Sequence, residues 1–365
     1  MEKSDKIYVA GHHGLVGSAI WNILQQKGYG NLVGRSHAEM DLMDPVAVRD
    51  FFDREQPDVV VLAAALVGGI MANSTRPADF IYQNLQIQQN VIGEAYRHKV
   101  KKLLFLGSTC IYPRLAPQPM PEECLLTSPL EATNESYALA KISGMKMCHA
   151  FNRQYGTNYV AVMPTNLYGP NDNFDLVGSH VLPAMIRKVH LAKCLMENDE
   201  GALRRDLTRR PIEGISPKAD LESMADTLNS KFSIHNSKLT LWGTGTPLRE
   251  FLWSEDMASA CVYMLENVDA DGSDLVAGDV RVSNTNFVNV GTGIEHTIAD
   301  VARMVADAVG YRGEIHFDPS KPDGTPRKLT DPSRLHRLGW HHTVDLADGI
   351  NRLYNWYLNN DNNKR

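Results

Sequence analysis

Two short segments concentrate the residue types that move protons. Ser108-Thr109-Cys110 follows an apolar run from Lys102 to Gly107, and Tyr137 stands four residues before Lys141. That spacing puts a phenol and an ammonium on one helix face, where the cation would stabilise a phenolate and draw the Tyr137 pKa down from about 10. Tyr137 would then deliver a proton to a substrate oxygen near neutral pH. Ser108, at the end of its run, would give the same oxygen a second hydrogen bond. Cys110 adds something that proton delivery to a reduced carbonyl does not require, a thiol able to act as a base. A Tyr-x-x-x-Lys pair alone is a weak signal, so its meaning rests on the elements that position it.

Those elements begin with the apolar run Ile7 to Ala10. Gly11, Gly14 and Gly17 follow at a G-x-x-G-x-x-G spacing around His12, His13, Leu15 and Val16. The pattern reads as strand, tight turn and helix. Glycines fall where the backbone must turn, approach a pyrophosphate and pack helix on strand, and the phosphates would rest on the helix N-terminus. A second strand is expected at 31–34, ending at Arg35, with Asp41 and Leu42 placed to meet an adenosine. Asp58 to Ala65 reads as a buried parallel strand passing under the nucleotide.

Strand and helix alternate over residues 6 to 168, the pattern of a Rossmann-type doubly wound parallel sheet of the α/β class. Long helices are expected at 77–99 and 135–155, a Pro-rich loop at 113–133, and a strand at 159–163 leading to Pro164, Asn166 and Leu167. Beyond 171 the alternation fades. A helix is expected at 181–192, a charged and partly helical insertion near 195–238, a strand and turn at 239–245, strand then helix at 251–265, a strand at 287–291 and a helix at 298–309. The expected division is a nucleotide-binding domain at 1–170, with returning segments near 239–256 and 287–310, and a smaller substrate-binding lobe within 171–365.

Composition excludes several classes of function. The 365 residues carry a net charge of −6 and no basic stripe interleaved with aromatics, so nucleic acid is not an expected partner. No run of about 18 apolar residues is present, and Met1 to Lys6 leads straight into a strand without a signal-peptide core, so a membrane is not expected and the location is expected to be cytoplasmic. The five cysteines are scattered without a C-x-x-C, which points to reduced thiols. The adjacent pairs His12-His13 and His341-His342 do not converge on one ion from a regular element, and no metal is expected.

Five segments are more distinctive: Gly107 to Pro113, Met163 to Phe174, Ser179-His180, Trp242 to Phe251 and Ser320 to Lys328. In these the chain resembles the extended short-chain dehydrogenase/reductase superfamily, and within it the 3,5-epimerase/4-reductases of GDP-4-keto-6-deoxy-D-mannose. A 4-keto sugar has acidic protons at C3 and C5, because the carbanion left behind delocalises into the carbonyl. The resemblance implies Cys110 as base and His180 as acid, with Tyr137 and Ser108 polarising the ketone and stabilising the enolate. It implies NADPH as hydride source, with NADH as the second option, held by the glycine-turn residues 11–17, Arg35, Asp41, Leu42, Leu106, Tyr137, Lys141, Pro164, Asn166, Leu167 and His180. Lys188, Trp242, Arg249 and Lys321 match positions that face the GDP-sugar. A homodimer paired through the helices around 80–98 and 136–155 is also implied.

Two departures stand out. Where the family often places Arg in the glycine turn and after the second strand, this chain has His13 and His37, poorer partners for a 2′-phosphate when neutral. The insertion at 195–238 is expected to be surface decoration, a cover for the nucleotide end of the pocket or a subunit contact being the other readings. Sister enzymes remain as alternatives. A 4,6-dehydratase normally carries an Asp-Glu pair where Thr109-Cys110 stand, and a C4 epimerase needs neither the thiol nor His180. A non-catalytic regulatory member would typically have lost Tyr137 or Lys141.

Overall fold

The computed structural model describes residues 1–235, 237–321 and 323–359. In chain order the first elements are β1 (Ile7–Ala10), α1 (Leu15–Gln26), β2 (Leu32–Val33), α2 (Pro45–Glu55), β3 (Val59–Leu62), α3 (Ile70–Thr75), α4 (Pro77–Arg97) and β4 (Lys102–Leu106). There follow α5 (Glu135–Tyr155), β5 (Tyr159–Pro164), β6 (Asn166–Tyr168), α6 (Val181–Met196), α7 (Glu200–Arg209), α8 (Leu221–Phe232), β7 (Lys238–Trp242), β8 (Leu248–Trp253) and α9 (Ser254–Asn267). The remainder comprises β9 (Asp269–Asp271), β10 (Asp274–Ala277), β11 (Val280–Val282), β12 (Phe287–Val290), β13 (Glu295–Thr297), α10 (Ile298–Val309), β14 (Glu314–Asp318), β15 (Arg327–Lys328), α11 (Ser333–Arg337) and α12 (Leu346–Asn359).

Two compact units result. The first holds residues 1–167, 250–294 and 329–343, and the second 168–249, 295–328 and 344 onward. The returning segments are therefore 250–294 and 329–343, while β7 and α10 lie in the second unit. For α10 the reason is its apolar face, Val301, Ala302, Val305 and Val309, which is buried as the helix packs on α6 and α12.

The first unit is built on a six-stranded parallel sheet in the order β12-β5-β4-β3-β1-β2. Strands β1, β3, β4, β5 and β12 are buried along their whole length, as near-continuous apolar runs must be when helices cover both faces. Val9, Val61, Leu104 and Val162 face α1 and α9, whereas Tyr8, Val60, Phe105 and Ala161 face α2, α4 and α5. After β1 the chain goes first to β2 on one side and then to β3 on the other, so the topological switch point lies at the carboxyl ends of β1 and β3.

In the second unit the insertion is part of the core, not decoration. Leu203 and Leu207 of α7 and Met224 and Leu228 of α8 are fully buried. The carboxylate of Asp206, 3 % exposed, receives Arg187 Nε at 3.0 Å, Arg210 Nη1 at 3.4 Å and the Tyr357 hydroxyl. Arg187 donates further to the carbonyls of Phe174 and Arg210. This network ties α6, α7 and α12 together.

Candidate active site

The proton-moving residues of the first unit converge at the end of β4. A Cβ on Gly107 would stand 2.1 Å from the Met163 sulfur and 3.2 Å from the Val162 carbonyl oxygen, so glycine lets β4 run beside β5 without displacing that side chain. Ser108 then caps a short 3-10 turn, Thr109–Ile111, its hydroxyl accepting the Cys110 N–H at 3.2 Å. The turn is anchored from behind, where the Tyr112 hydroxyl donates to the Asn289 side chain and the Asn289 N–H donates to Glu122 at 2.9 Å. Burial pushes the Glu122 carboxyl up to about 7, opposed by that N–H and by Arg334.

Helix α5 delivers Tyr137 and Lys141 to the same place. Gly144 makes the approach possible, since a Cβ there would lie 2.5 Å from both Phe105 of β4 and Gln88 of α4. Phe80 meets the Tyr137 ring edge-on at 6.3 Å. The phenol is hydrogen-bonded with the Ser108 hydroxyl, and the Cys110 thiol is near enough to act electrostatically on both Tyr137 and Lys141. Lys141 is 3 % exposed and donates to the Leu106 carbonyl at 2.7 Å, its nitrogen 5.8 Å from the Tyr137 ring centre.

The expected fall in the Tyr137 pKa is not what this geometry gives. Burial raises the phenol above 10, and the Cys110 charge adds to the rise, while burial lowers the Lys141 ammonium to about 8. Desolvation outweighs the cation because the ammonium is itself desolvated and directed at a carbonyl. Tyr137 is thus held as a neutral phenol, the form that donates a proton.

The glycine turn fits a dinucleotide. Gly11 has φ +85°, and a Cβ on it would lie 2.8 Å from the Ala64 nitrogen just past β3. A Cβ on Gly17 would lie 2.1 Å from the Gly11 carbonyl oxygen. Gly14 begins the twelve-residue α1 with no side-chain cap, which leaves the first N–H groups of the helix as donors for phosphate oxygens. The His12 ring lies between those of His13 (3.9 Å) and Trp21 (5.3 Å), tilted by 43° and 39° respectively. Arg35 is engaged with Glu55 at 2.7 Å and its own neighbour's carbonyl, over the Phe51 ring. Asp41 caps the Met43 N–H at 2.9 Å, and the Leu42 carbonyl accepts from Asn90. Pro164 ends β5, Leu167 packs on the core beside α1 and α9, and the Asn166 side chain donates to the Glu250 carbonyl at 2.8 Å.

In the second unit, His180 is the exposed N-cap residue of α6, and Lys188 lies two turns further along. Trp242 is 62 % exposed, with Lys188 and Lys321 nitrogens 5.8 and 5.9 Å from its ring centre. Two cations beside an exposed indole suit a planar base next to phosphates. The Arg249 guanidinium bonds the Leu248 carbonyl, and β8 pairs there with β15. Three supporting residues escaped the sequence reading. Asp323 ties down the turn after Trp242, accepting Thr244 N–H at 2.7 Å and its hydroxyl at 2.8 Å. Glu250, fully buried, gathers the N–H groups of Thr292, Gly293 and Thr330. Asp206 holds α6. Glu250 and Asp323 lie inside distinctive segments, the signal that would have found them, whereas Asp206 looks like any charge in a polar stretch.

A glycine turn at the switch point of a doubly wound sheet, with Ser, Tyr and Lys gathered at the end of β4, defines a nicotinamide-nucleotide-dependent class of epimerases, dehydratases and reductases. The chain belongs to the NAD dependent epimerase/dehydratase family, whose pattern matches residues 7–209 and 210–278. It is 49 % identical to GDP-L-fucose synthase 1 of Arabidopsis thaliana, across 98 % of this chain and 95 % of that one. Identity to the GDP-L-fucose synthase of Escherichia coli K12 is 46 %, across 99 % and 98 %. Among solved structures, MlghC, a GDP-mannoheptose C4 reductase from Campylobacter jejuni with NADP bound, superposes with a TM-score of 0.86 at 40 % identity, covering 98 % and 99 %. Among the described residues no side-chain cluster suits a metal, and no helix is long and apolar enough to cross a membrane.

Proposed function

We propose that this chain converts GDP-4-keto-6-deoxy-D-mannose to GDP-L-fucose, epimerising C3 and C5 and then reducing the C4 ketone with NADPH. The observation that carries the reading is the Cys110 thiol beside Ser108, Tyr137 and Lys141, a base where a simple reductase needs none. The thiolate of Cys110 takes the proton from C3 or C5, and the electron pair moves into the C4 carbonyl. Ser108 and Tyr137 hold the resulting enolate oxygen by hydrogen bonds. A proton returned from the other face inverts the centre, and His180 is the residue assigned to supply it. NADPH supplies hydride to C4 when bound. Tyr137 gives its proton to the C4 oxygen in the same step, and Lys141 is assigned to the nicotinamide ribose. Residues 11–17, Arg35, Asp41, Leu42, Leu106, Pro164, Asn166 and Leu167 are assigned to the rest of the cofactor, and Lys188, Trp242, Arg249 and Lys321 to the GDP portion.

The apolar side chains left outward on α4 and α5, Tyr82, Tyr96, Leu139 and Tyr155, support a homodimer paired through these helices, and the reading keeps the enzyme in the cytoplasm. The test of the reaction is incubation with GDP-4-keto-6-deoxy-D-mannose and NADPH, following cofactor absorbance and identifying the product by NMR. GDP-L-fucose is the expected product. Absence of turnover here, with turnover of a GDP-4-ketoheptose, would move the assignment to the reductases of that sugar class.

A further inference from the structure

The turn that carries Cys110 is held at its two ends by different parts of the first unit. On the near side Ser108 accepts the Cys110 N–H, and the Gly107 N–H just before it is fixed on the Val162 carbonyl at 2.8 Å. On the far side the chain reaches across β5 to β12, where Tyr112, 3 % exposed, donates its hydroxyl to Asn289 Oδ1 at 2.5 Å. The Asn289 amide is locked in one orientation. Its Nδ2 donates to the carbonyls of Met120 at 2.9 Å and Asp331 at 3.2 Å, which leaves Oδ1 to accept from the phenol. Its backbone N–H goes to Glu122, whose second oxygen lies 3.3 Å from Arg334 Nε. Resting on the two-step reaction proposed above, we propose that Tyr112 and Asn289 are positioning residues for the Cys110 thiol, required for proton exchange at C3 and C5 and dispensable for hydride transfer to C4.

The selectivity follows from where each group is anchored. Tyr137 and Lys141 ride on α5, fixed by Gly144 against Phe105 and by the Leu106 carbonyl. Ser108 stands just past the end of β4 and is hydrogen-bonded with the Tyr137 phenol. These three groups keep their supports when the Tyr112 bond is cut. Cys110 stands beyond them, in the middle of a three-residue turn that runs through Ile111 into Tyr112. Tyr112→Phe keeps the ring and its packing but deprives Asn289 Oδ1, on a fully buried residue, of the donor it has here. Burial keeps the Tyr112 phenol neutral, so the donor is present throughout the working pH range. Proton abstraction needs the base within reach of the C–H, and an ångström of misplacement costs up to about 10² in rate.

The experiment takes two readouts on the full chain. Deuterium uptake at C3 and C5 is followed by NMR in heavy water, with GDP-4-keto-6-deoxy-D-mannose and NADP+ so that no reduction follows. Reduction is measured separately with the already epimerised ketone and NADPH. Tyr112→Phe is expected to lower kcat for uptake by about 10- to 10²-fold with KM little changed, and to leave reduction within about twofold of the wild type. Asn289→Ala should act in the same direction, and the double variant should be no slower than the slower single, because both remove one bond. Retained reduction shows that each variant is folded, and should Asn289→Ala fail to fold, Tyr112→Phe decides alone. Uptake unchanged in Tyr112→Phe, or uptake and reduction falling together in a protein folded by circular dichroism, overturns the inference while leaving the reaction assignment standing. A wild-type chain that gives neither uptake nor reduction overturns both.

Discussion

Helices α5 and α6 both carry functional side chains, yet they are held in place by different means. α5 lies against its own sheet, with Gly144 pressed on Phe105 and Lys141 bonded to the last carbonyl of β4, so its position follows from the packing of the core. α6, which carries Lys188 and starts at His180, is secured through Arg187, the neighbour of Lys188, to a carboxylate contributed by the insertion. The first arrangement gets its precision from close packing. The second adds a buried ion network to the apolar packing of α6 on α10. Chemistry that tolerates little misplacement sits on the packed element.

The sharpest test of this contrast separates the residues at the end of β4. Tyr137→Phe should reduce the rate of C4 reduction by about 10²- to 10⁴-fold, the range for loss of a positioned acid, with protein stability little changed. Cys110→Ser should slow deuterium uptake at C3 and C5 from heavy water by a similar factor while leaving reduction of an already epimerised ketone largely intact. Equal impairment of both steps in both variants would break the division of labour.

The α6 side of the comparison is tested through stability. Asp206→Ala leaves the buried Arg187 without its carboxylate and should cost about 3–5 kcal/mol in chemical denaturation. Replacing both Arg187 and Asp206 with apolar residues of similar volume should cost clearly less, because no unpaired charge remains. If the single and double replacements were equally damaging, the network would be mere packing and the contrast with α5 would vanish.

A smaller effect follows from Lys141. Its ammonium, lowered by burial to about 8, is cationic below that pH and neutral above it. The kcat/KM for reduction should therefore fall on the alkaline side, with a midpoint near 8 if the charge matters in the free enzyme. Lys141→Arg should move that limb upward while retaining some activity. A limb unmoved in the variant would assign the alkaline loss to another group.

How much of this was legible depended on the range of the interactions. The glycine turn, the strand before it and helix α5 are local patterns whose physics is written in consecutive residues, and α5 and α10 span the expected residues. The convergence of Cys110 on Tyr137 needed the motif and the fold together. Two things were not legible. The expected lowering of the Tyr137 pKa follows from spacing alone, whereas desolvation depends on Phe80, Gly144 and the depth at which α5 docks. The role of the insertion turned on Asp206 meeting Tyr357, 151 residues away, and no local pattern distinguishes that aspartate from its solvated neighbours.

The smallest expected effect belongs to Trp242. Its indole is exposed, so Trp242→Ala removes little from the core and should barely change stability. What it removes is the flat surface between Lys188 and Lys321, each within 6 Å of the ring centre, and a cation–aromatic contact at an exposed site is worth about 0.5–1 kcal/mol. The expected result is a KM for the GDP-sugar raised severalfold with kcat nearly constant, because the ring lies in the unit that does not carry Tyr137. Trp242→Phe should recover part of the loss. A fall in kcat with KM unchanged would mean that the indole acts on the reacting sugar and not on the nucleotide, and the GDP portion would then have to be reassigned away from Lys188 and Lys321.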